Sequence, residues 1–333
     1  MSHSPPMTAI EFRGVSDADA PELLRLHNRA FVAQWDSAWW SWRYSDLPRG
    51  EAAILGAFRE DGRCVGMYAG ARLALWIQGE TTFALSQSDV SVDSELRGGP
   101  GRAKLVTRMA KRFFAEHTGG STQLTYGFPV PPLRRVISRF VGGQILCDVV
   151  FLVNELHAGP PAVDPREIDV RAVNRFDEET DDLWERERER FPAALVRDST
   201  YLNWRYAEHP LAYELLEARD AATGRLRGVA VVREGGIDPS VSSLSDWLVP
   251  LEDLAAESAL LERAKAYARG CGSTALVAWF ASMGAHFQRF QIRHGFFARA
   301  TAHQEQFSAW RDGVDRDWLQ ANWYQTMGDI DFF

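Results

Sequence analysis

The stretch LSQSDVSVDSELRGGPGRAKL, Leu85 to Leu105, holds the residues best suited to grip a ligand. Gly98, Gly99 and Gly101 let the backbone curl so that several N–H groups converge, and a helix starting there adds the partial positive charge of its N-terminus. Together these make a phosphate seat. Arg97 and Arg102 flank it, and Lys104, Arg108, Lys111 and Arg112 carry a basic face along the helix. Two of the chain's three lysines fall on that face, in a sequence of net charge −8. Taken alone, a Gly turn followed by an ordinary solvated basic helix reads the same residues equally well.

Just upstream the apolar residues change phase. Phe83 and Leu85 occupy odd positions, Val90 and Val92 even ones, whereas side chains alternate faces along a strand. One extra residue must intervene for both pairs to enter one core, which predicts a β-bulge between Ser86 and Asp89. Bulges splay strands and expose backbone groups, a useful arrangement beside a ligand.

The elements that must position these residues are written twice. DSAWWSWRYSDLP from Asp36 returns as DSTYLNWRYAEHP from Asp198, a shift of 162 residues. That register matches Trp42 with Trp204, Arg43 with Arg205, Tyr44 with Tyr206 and Pro48 with Pro210, then runs on through Gly62 and Gly224 to Gly66 and Gly228. Tryptophan is rare and the matches are collinear, so they read as an internal duplication. Each copy opens with an Asp side chain placed to cap a helix, continues through an aromatic turn and is closed by proline. The tryptophans read as core packing, because they recur in a copy that lacks the Gly-rich turn. Both halves then give one order: strand, helix, aromatic helix, three strands, long helix, strand, helix, strand. HAGPPAVDP, residues 157–165, is the natural linker between domains 1–156 and 166–333.

Strand, Gly-rich turn and helix in this order resemble the GNAT acyltransferase superfamily. The resemblance spans nearly the whole chain and implies an α/β (α+β) fold of two tandem GNAT-like domains, each a mixed, mostly antiparallel sheet flanked by helices. The family's turn runs Arg or Gln, two residues, Gly, one residue, then Gly or Ala. Gly101 and Ala103 fit its second part, and Arg97 precedes them with one residue more than the pattern, through Pro100. By resemblance, backbone around Val90, Ser91 and Val92 holds the pantetheine arm of acetyl-CoA or another acyl-CoA. The diphosphate falls to Arg97, Gly98, Gly99, Gly101, Arg102 and Ala103. In the second copy SDWLVPLEDLAAES carries no such glycines, and Glu252, Asp253 and Glu257 suit the helix start but repel a diphosphate. One cofactor site is expected, in the first half.

Acyl transfer from a thioester to an amine needs a neutral nucleophile, and deprotonating a lysine-like amine at pH 7 costs roughly 4 to 5 kcal/mol. Asp89, at the expected bulge, is the candidate base; a structural role for the repeated Ser-Asp reads equally well. Where many relatives carry a tyrosine to protonate the leaving thiolate, this sequence has Ser138 or Arg139, so Tyr126 of YGFP is the candidate acid. The expected activity is N-acyltransfer, chiefly N-acetyltransfer, to the amine of a small molecule. The alternatives are a non-catalytic CoA-binding scaffold and a FemAB-like aminoacyl transferase.

Composition bounds the rest. Three scattered cysteines without metal-ligand spacing read as reduced thiols of a cytoplasmic protein, with no metal site. A net charge of −8 with pI near 5.6 disfavours nucleic acid and anionic membrane as partners. No stretch approaches the roughly 20 apolar residues of a membrane span, and the first residues read as no signal peptide.

Overall fold

The structure is a computed structural model that describes residues 10–31, 34–96, 99–157, 167–281 and 284–330. The first half of the chain gives β1 (Glu11–Gly14), α1 (Ala20–Phe31), α2 (Ser37–Trp40), β2 (Ala52–Phe58), β3 (Cys64–Ile77), β4 (Glu80–Val92), α3 (Gly99–His117), β5 (Thr122–Gly127), α4 (Pro131–Val141) and β6 (Gln144–Glu155). The second half repeats that order with β7 (Ile168–Val173), α5 (Glu178–Glu187), a short added β8 (Ala193–Leu195), α6 (Ser199–Leu202), β9 (Glu214–Asp220), β10 (Leu226–Glu234), β11 (Val241–Leu248), α7 (Leu254–Gly270), β12 (Ala275–Ala278), α8 (Ala285–His294) and β13 (Phe297–Ala309). It closes with α9 (Arg316–Asn322) and β14 (Trp323–Tyr324), neither of which the sequence announced. The fold is mixed α/β, its strands mostly antiparallel and flanked by helices. Among the described residues no helix is long and apolar enough to cross a membrane.

The repeated aromatic segment folds alike in both copies. Asp36 accepts from the backbone N–H groups of Ala38 and Trp39 at 3.0 and 3.1 Å, and Asp198 from that of Tyr201 at 2.9 Å. These are N-caps, each satisfying donors that a helix start leaves open. After one α turn the helix widens into a π stretch, Ser41–Ser45 and Asn203–Ala207, that carries the Arg-Tyr pair. Its bonds reach five residues back, from Asp46 N–H to the Ser41 carbonyl at 2.8 Å and from Glu208 N–H to that of Asn203 at 2.9 Å.

Packing divides the chain into two compact units that are not consecutive in sequence. One runs to Leu73 and adds Phe83–Ile145 and Gln306–Asp312; the other takes Ala74–Thr82, Leu146–Glu305 and the chain from Gly313. The split therefore differs from one at residue 156, and the expected linker lies, beyond His157, outside the described residues. The cause is strand pairing. The end of β6, Leu152 to Glu155, pairs with β12, Leu152 opposite Ala278, while the end of β13 pairs with β5, Ala309 opposite Leu124.

In the first unit β2 and β3 are buried on both faces. Leu55, Ala57, Val65 and Tyr68 pack against Leu105, Met109, Phe113 and Phe114 of α3. Ala69, Met67 and Phe58 pack on the other side against Leu23 and Leu26 of α1 with Trp40 and Tyr44. The repeated glycines mark where the long helix crosses closest: a Cβ on Gly66 would stand 2.8 Å from Met109 Sδ, and one on Gly228 3.3 Å from Leu260 of α7. Pro131 and Pro132 start α4, and Gly142 ends it in the left-handed conformation at φ 80°.

Candidate functional site

β4 and β5 run parallel, and their ladder ends at the pair Gln87 and Gly127. Only glycine lets that last pair close, since a Cβ on Gly127 would meet the Gln87 carbonyl oxygen at 2.8 Å. β5 then gives way to Pro129 and the start of α4, while β4 continues to Val92. An edge of β4 thus runs past the end of its parallel neighbour. Leu85 and Val92 both enter the core beneath α3, and Val90 packs against it. Seven residues is an odd separation, so the strand changes phase between them as the sequence requires. The β4–β5 ladder also shifts register, between Phe83 and Ala84.

On this edge Ser91 is 1% exposed, and its Oγ has no hydrogen-bond partner among the described residues. A buried hydroxyl without a partner costs free energy unless a ligand or water meets it, so the edge suits a molecule rich in amides, as a pantetheine arm is. α3 begins at Gly99, so the Gly-rich run lies inside its first turn rather than in a loop ahead of it. Gly99, Gly101, Arg102 and Ala103 contribute backbone there; Arg97 and Gly98 lie outside the described residues. Asp93 ties down the end of β4, accepting from Arg63 Nη2 at 2.8 Å.

Asp89 is 8% exposed, and its Oδ2 accepts from Arg43 Nε and from the Tyr44 hydroxyl, both at 2.6 Å. Burial acts to raise this carboxyl, but the charges of Arg43 and His27 and the two hydrogen bonds outweigh it, leaving the pKa below the ordinary carboxylate value. That is an unfavourable state for a base. The second copy repeats the tie without the Gly-rich helix start: Asp246 accepts from the Tyr206 hydroxyl at 2.7 Å. A device common to both copies anchors the π stretch to the sheet. The Arg-Tyr and Ser-Asp repeats were visible in the sequence; that they meet was not, because 45 residues separate Tyr44 from Asp89.

Tyr126 lies one pair before the ladder's end, opposite Ser86 on β4 and Phe307 on β13, with its side chain 1% exposed.

The second unit has the same strand geometry and has filled it. The parallel ladder of β11 and β12 ends at Leu244 and Ala278, while β11 continues to Leu248. Here the bulge falls on the repeated Ser-Asp, for Val231 faces Asp246 and Val232 faces Leu244, leaving Ser245 as the extra residue. The C-terminal segment occupies the edge. The Tyr324 hydroxyl donates to the Trp247 carbonyl, Thr326 bridges Phe280, and Arg205 Nε donates to the Gly328 carbonyl at 3.0 Å. Arg197, which stands where the first copy has Trp35, is fully buried and binds Asp246 at 3.0 Å and Asp329 at 2.5 Å. At the start of α7, Asp253 caps Ala256, and buried Glu257 is held by Arg289 and His294. Carboxylates fill the place a phosphate would need.

One buried acid escaped the sequence reading. Glu305 of β13 is fully buried, accepts from the Cys147 thiol at 3.6 Å and is pushed up to about 8, chiefly by burial, with the charge of Asp329 adding to the rise and the Cys147 hydrogen bond opposing it. A raised carboxyl favours folding at low pH, and that contribution is lost as pH climbs from the ordinary value of 4.5 through 8. Glu305→Gln is therefore expected to stabilise the protein at pH 9 by several kcal/mol and to leave it unchanged below pH 4.5. Urea midpoints at pH 4, 7 and 9 measure this; a pH-independent difference refutes it.

The fold is the one found in GNAT acyltransferases. Residues 11–137, which hold the β4 edge and α3, match the family described as acetyltransferase (GNAT) domain. A probable N-acyltransferase of unknown function from Enterococcus faecalis V583 superposes with a TM-score of 0.66 at 13% identity, over 91% of this chain and 73% of that one. A GCN5-related N-acetyltransferase from Kribbella flavida gives 0.61 at 14% identity, over 90% and 71%. Saccharomyces cerevisiae N-myristoyltransferase with bound myristoyl-CoA gives 0.57 at 11% identity, over 92% and 80%. No curated protein sequence matches the chain.

Proposed function

We propose that this protein is an acyl-CoA-dependent N-acyltransferase built from two tandem GNAT-like domains, with one working cleft, in the first. The observation that carries the reading is the β4 edge beyond Gln87, with Ser91 buried and unpartnered on it and the glycine-bearing start of α3 following it. Its counterpart on β11 is closed by the protein's own chain. Acetyl-CoA, or a longer acyl-CoA, supplies an activated thioester. Backbone of Val90, Ser91 and Val92 would hold the pantetheine arm, and the segment from Arg97 to Ala103 the diphosphate. The acceptor is a small-molecule amine: its nitrogen attacks the carbonyl, the C–S bond breaks as C–N forms, and the amine proton ends on the departing thiol. In this reading Tyr126 would donate to that sulfur. A CoA-type thiol, with pKa about 8.5 by analogy with cysteine, leaves readily enough that the acid adds little. Asp89 serves as an anchor for Arg43 and Tyr44. The protein works in the cytoplasm.

Calorimetry with acetyl-CoA tests the cleft. Gly101→Glu puts a carboxylate in the first turn of α3, where it favours the helix and opposes a diphosphate. Wild type is expected to bind and the variant to lose at least 100-fold. No binding by wild type, or equal binding by both, rejects the site. Transfer across an amine panel then separates enzyme from scaffold: binding without any transfer selects the scaffold.

A further inference from the structure

α3 and α4, packed together in the first unit, carry eight Lys and Arg residues against one Glu, in a chain of net charge −8. Five of these cations are exposed: Lys104, Arg108 and Lys111 on α3, Arg135 and Arg139 on α4. None of the five has a carboxylate within 4.0 Å among the described residues, whereas Arg112 is paired with Glu116. Lys111 Nζ and the Arg139 guanidinium both stand over the ring of Phe140, at 5.1 and 5.5 Å, and that ring is itself 41% exposed. Two like charges are thus held together around an apolar knob. The duplicated helices provide an internal control. On α7 and α8, Arg263, Lys265 and Arg289 are each paired with a glutamate, and of the other two cations, Arg269 and Arg293, only Arg293 is exposed. The unpaired field belongs to the copy with the Gly-rich helix start.

We propose that the α3–α4 face docks an acidic protein that carries the acyl donor on a phosphopantetheine arm, and so places its thioester in the β4 cleft. The proposal rests on the acyl-transfer reading above. The field extends further than a free CoA needs: a diphosphate at the start of α3 meets its first turn, while Lys111 lies about 18 Å along the helix from Gly99. A row of cations from Lys104 to Lys111, about two turns of α3, with Phe140 as an apolar contact, matches an acidic helix on a small protein. A long polyanion such as RNA would run off this patch onto a surface of its own sign. The chemistry at sulfur is unchanged, because the same C–S bond breaks whether the arm ends in a nucleotide or in a protein.

Steady-state transfer to one amine, with acetyl-CoA and with an acetyl-phosphopantetheine-loaded acyl carrier protein as alternative donors, tests it. The charge reversal Lys111→Glu/Arg139→Glu is expected to lower kcat/KM for the carrier-borne donor at least tenfold and to leave that for acetyl-CoA within twofold. Added salt should depress the first and spare the second. Rejection of the carrier while acetyl-CoA is accepted overturns the docking proposal alone, as does an equal fall with both donors or no fall with either. Binding of tRNA to wild type more tightly than the carrier also overturns it. If neither donor reacts, the acyl-transfer reading falls first.

Discussion

Arg197→Met is expected to destabilise the protein by about 3 to 5 kcal/mol, the usual cost of removing one partner from a buried ion pair. Arg197 is fully buried between Asp246 and Asp329, donates also to the Leu195 carbonyl and Thr326 Oγ1, and lies 4.8 Å from the Tyr324 ring. Methionine fills much of the same volume, so the loss comes from two carboxylates left in a dry interior. Three consequences distinguish this from simple cavity formation. The deficit should shrink in acid, as Asp329, whose carboxyl burial raises above its ordinary value, protonates. Adding Asp246→Asn and Asp329→Asn should recover most of it. Proteolysis of the single variant should begin in the C-terminal segment, which loses its tie to β11. A loss below 1 kcal/mol at pH 7, or no recovery in the triple variant, would show that the cluster does not hold the segment in place.

Asp89→Asn should likewise cost about 3 kcal/mol, by leaving the Arg43 charge buried without its counterion. The pair's contribution is present above the ordinary carboxylate pKa of 3.8 and is lost as pH falls through the lowered value, so the variant's deficit is largest near neutrality. The catalytic outcome matters more. An anchoring carboxylate predicts kcat per folded molecule within about threefold of wild type, whereas loss of a general base costs about 10²- to 10⁴-fold. Titrating active sites with a tight-binding acyl-CoA analogue corrects for the unfolded fraction. A hundredfold fall in corrected kcat returns Asp89 to the role of base.

What could be read from the sequence was whatever repeats or alternates. The Asp caps, the paired strands, the glycines under the long helix and the phase change in β4 all leave marks within a few residues of where they act. The π stretches left none, because one extra residue in a helical turn changes no composition. Nor did the exchange of strands: the residues of β6 and β13 suit any sheet, and pairing alone decides which one takes them. The part played by the C-terminal segment was not legible. That Tyr324, Thr326 and Gly328 fill the second strand edge depends on contacts with residues up to 129 positions away, such as those of Arg205 with Gly328 and Arg197 with Thr326. Glu305 was unreadable for a related reason, since the burial that perturbs it is assembled from three distant segments.

The pairing of β5 with the end of β13 has a consequence for how the protein is made. A ribosome releases β5 roughly 180 residues before it releases Ala309. At 5 to 20 residues per second this is a delay of about 10 to 40 s. Throughout it the nascent first unit carries an open strand edge, the kind of surface that recruits chaperones or other chains. Translation speed through the second half therefore sets how long that edge waits, and slow codons there should lower the soluble yield even though they lie far downstream of the Gly-rich helix start.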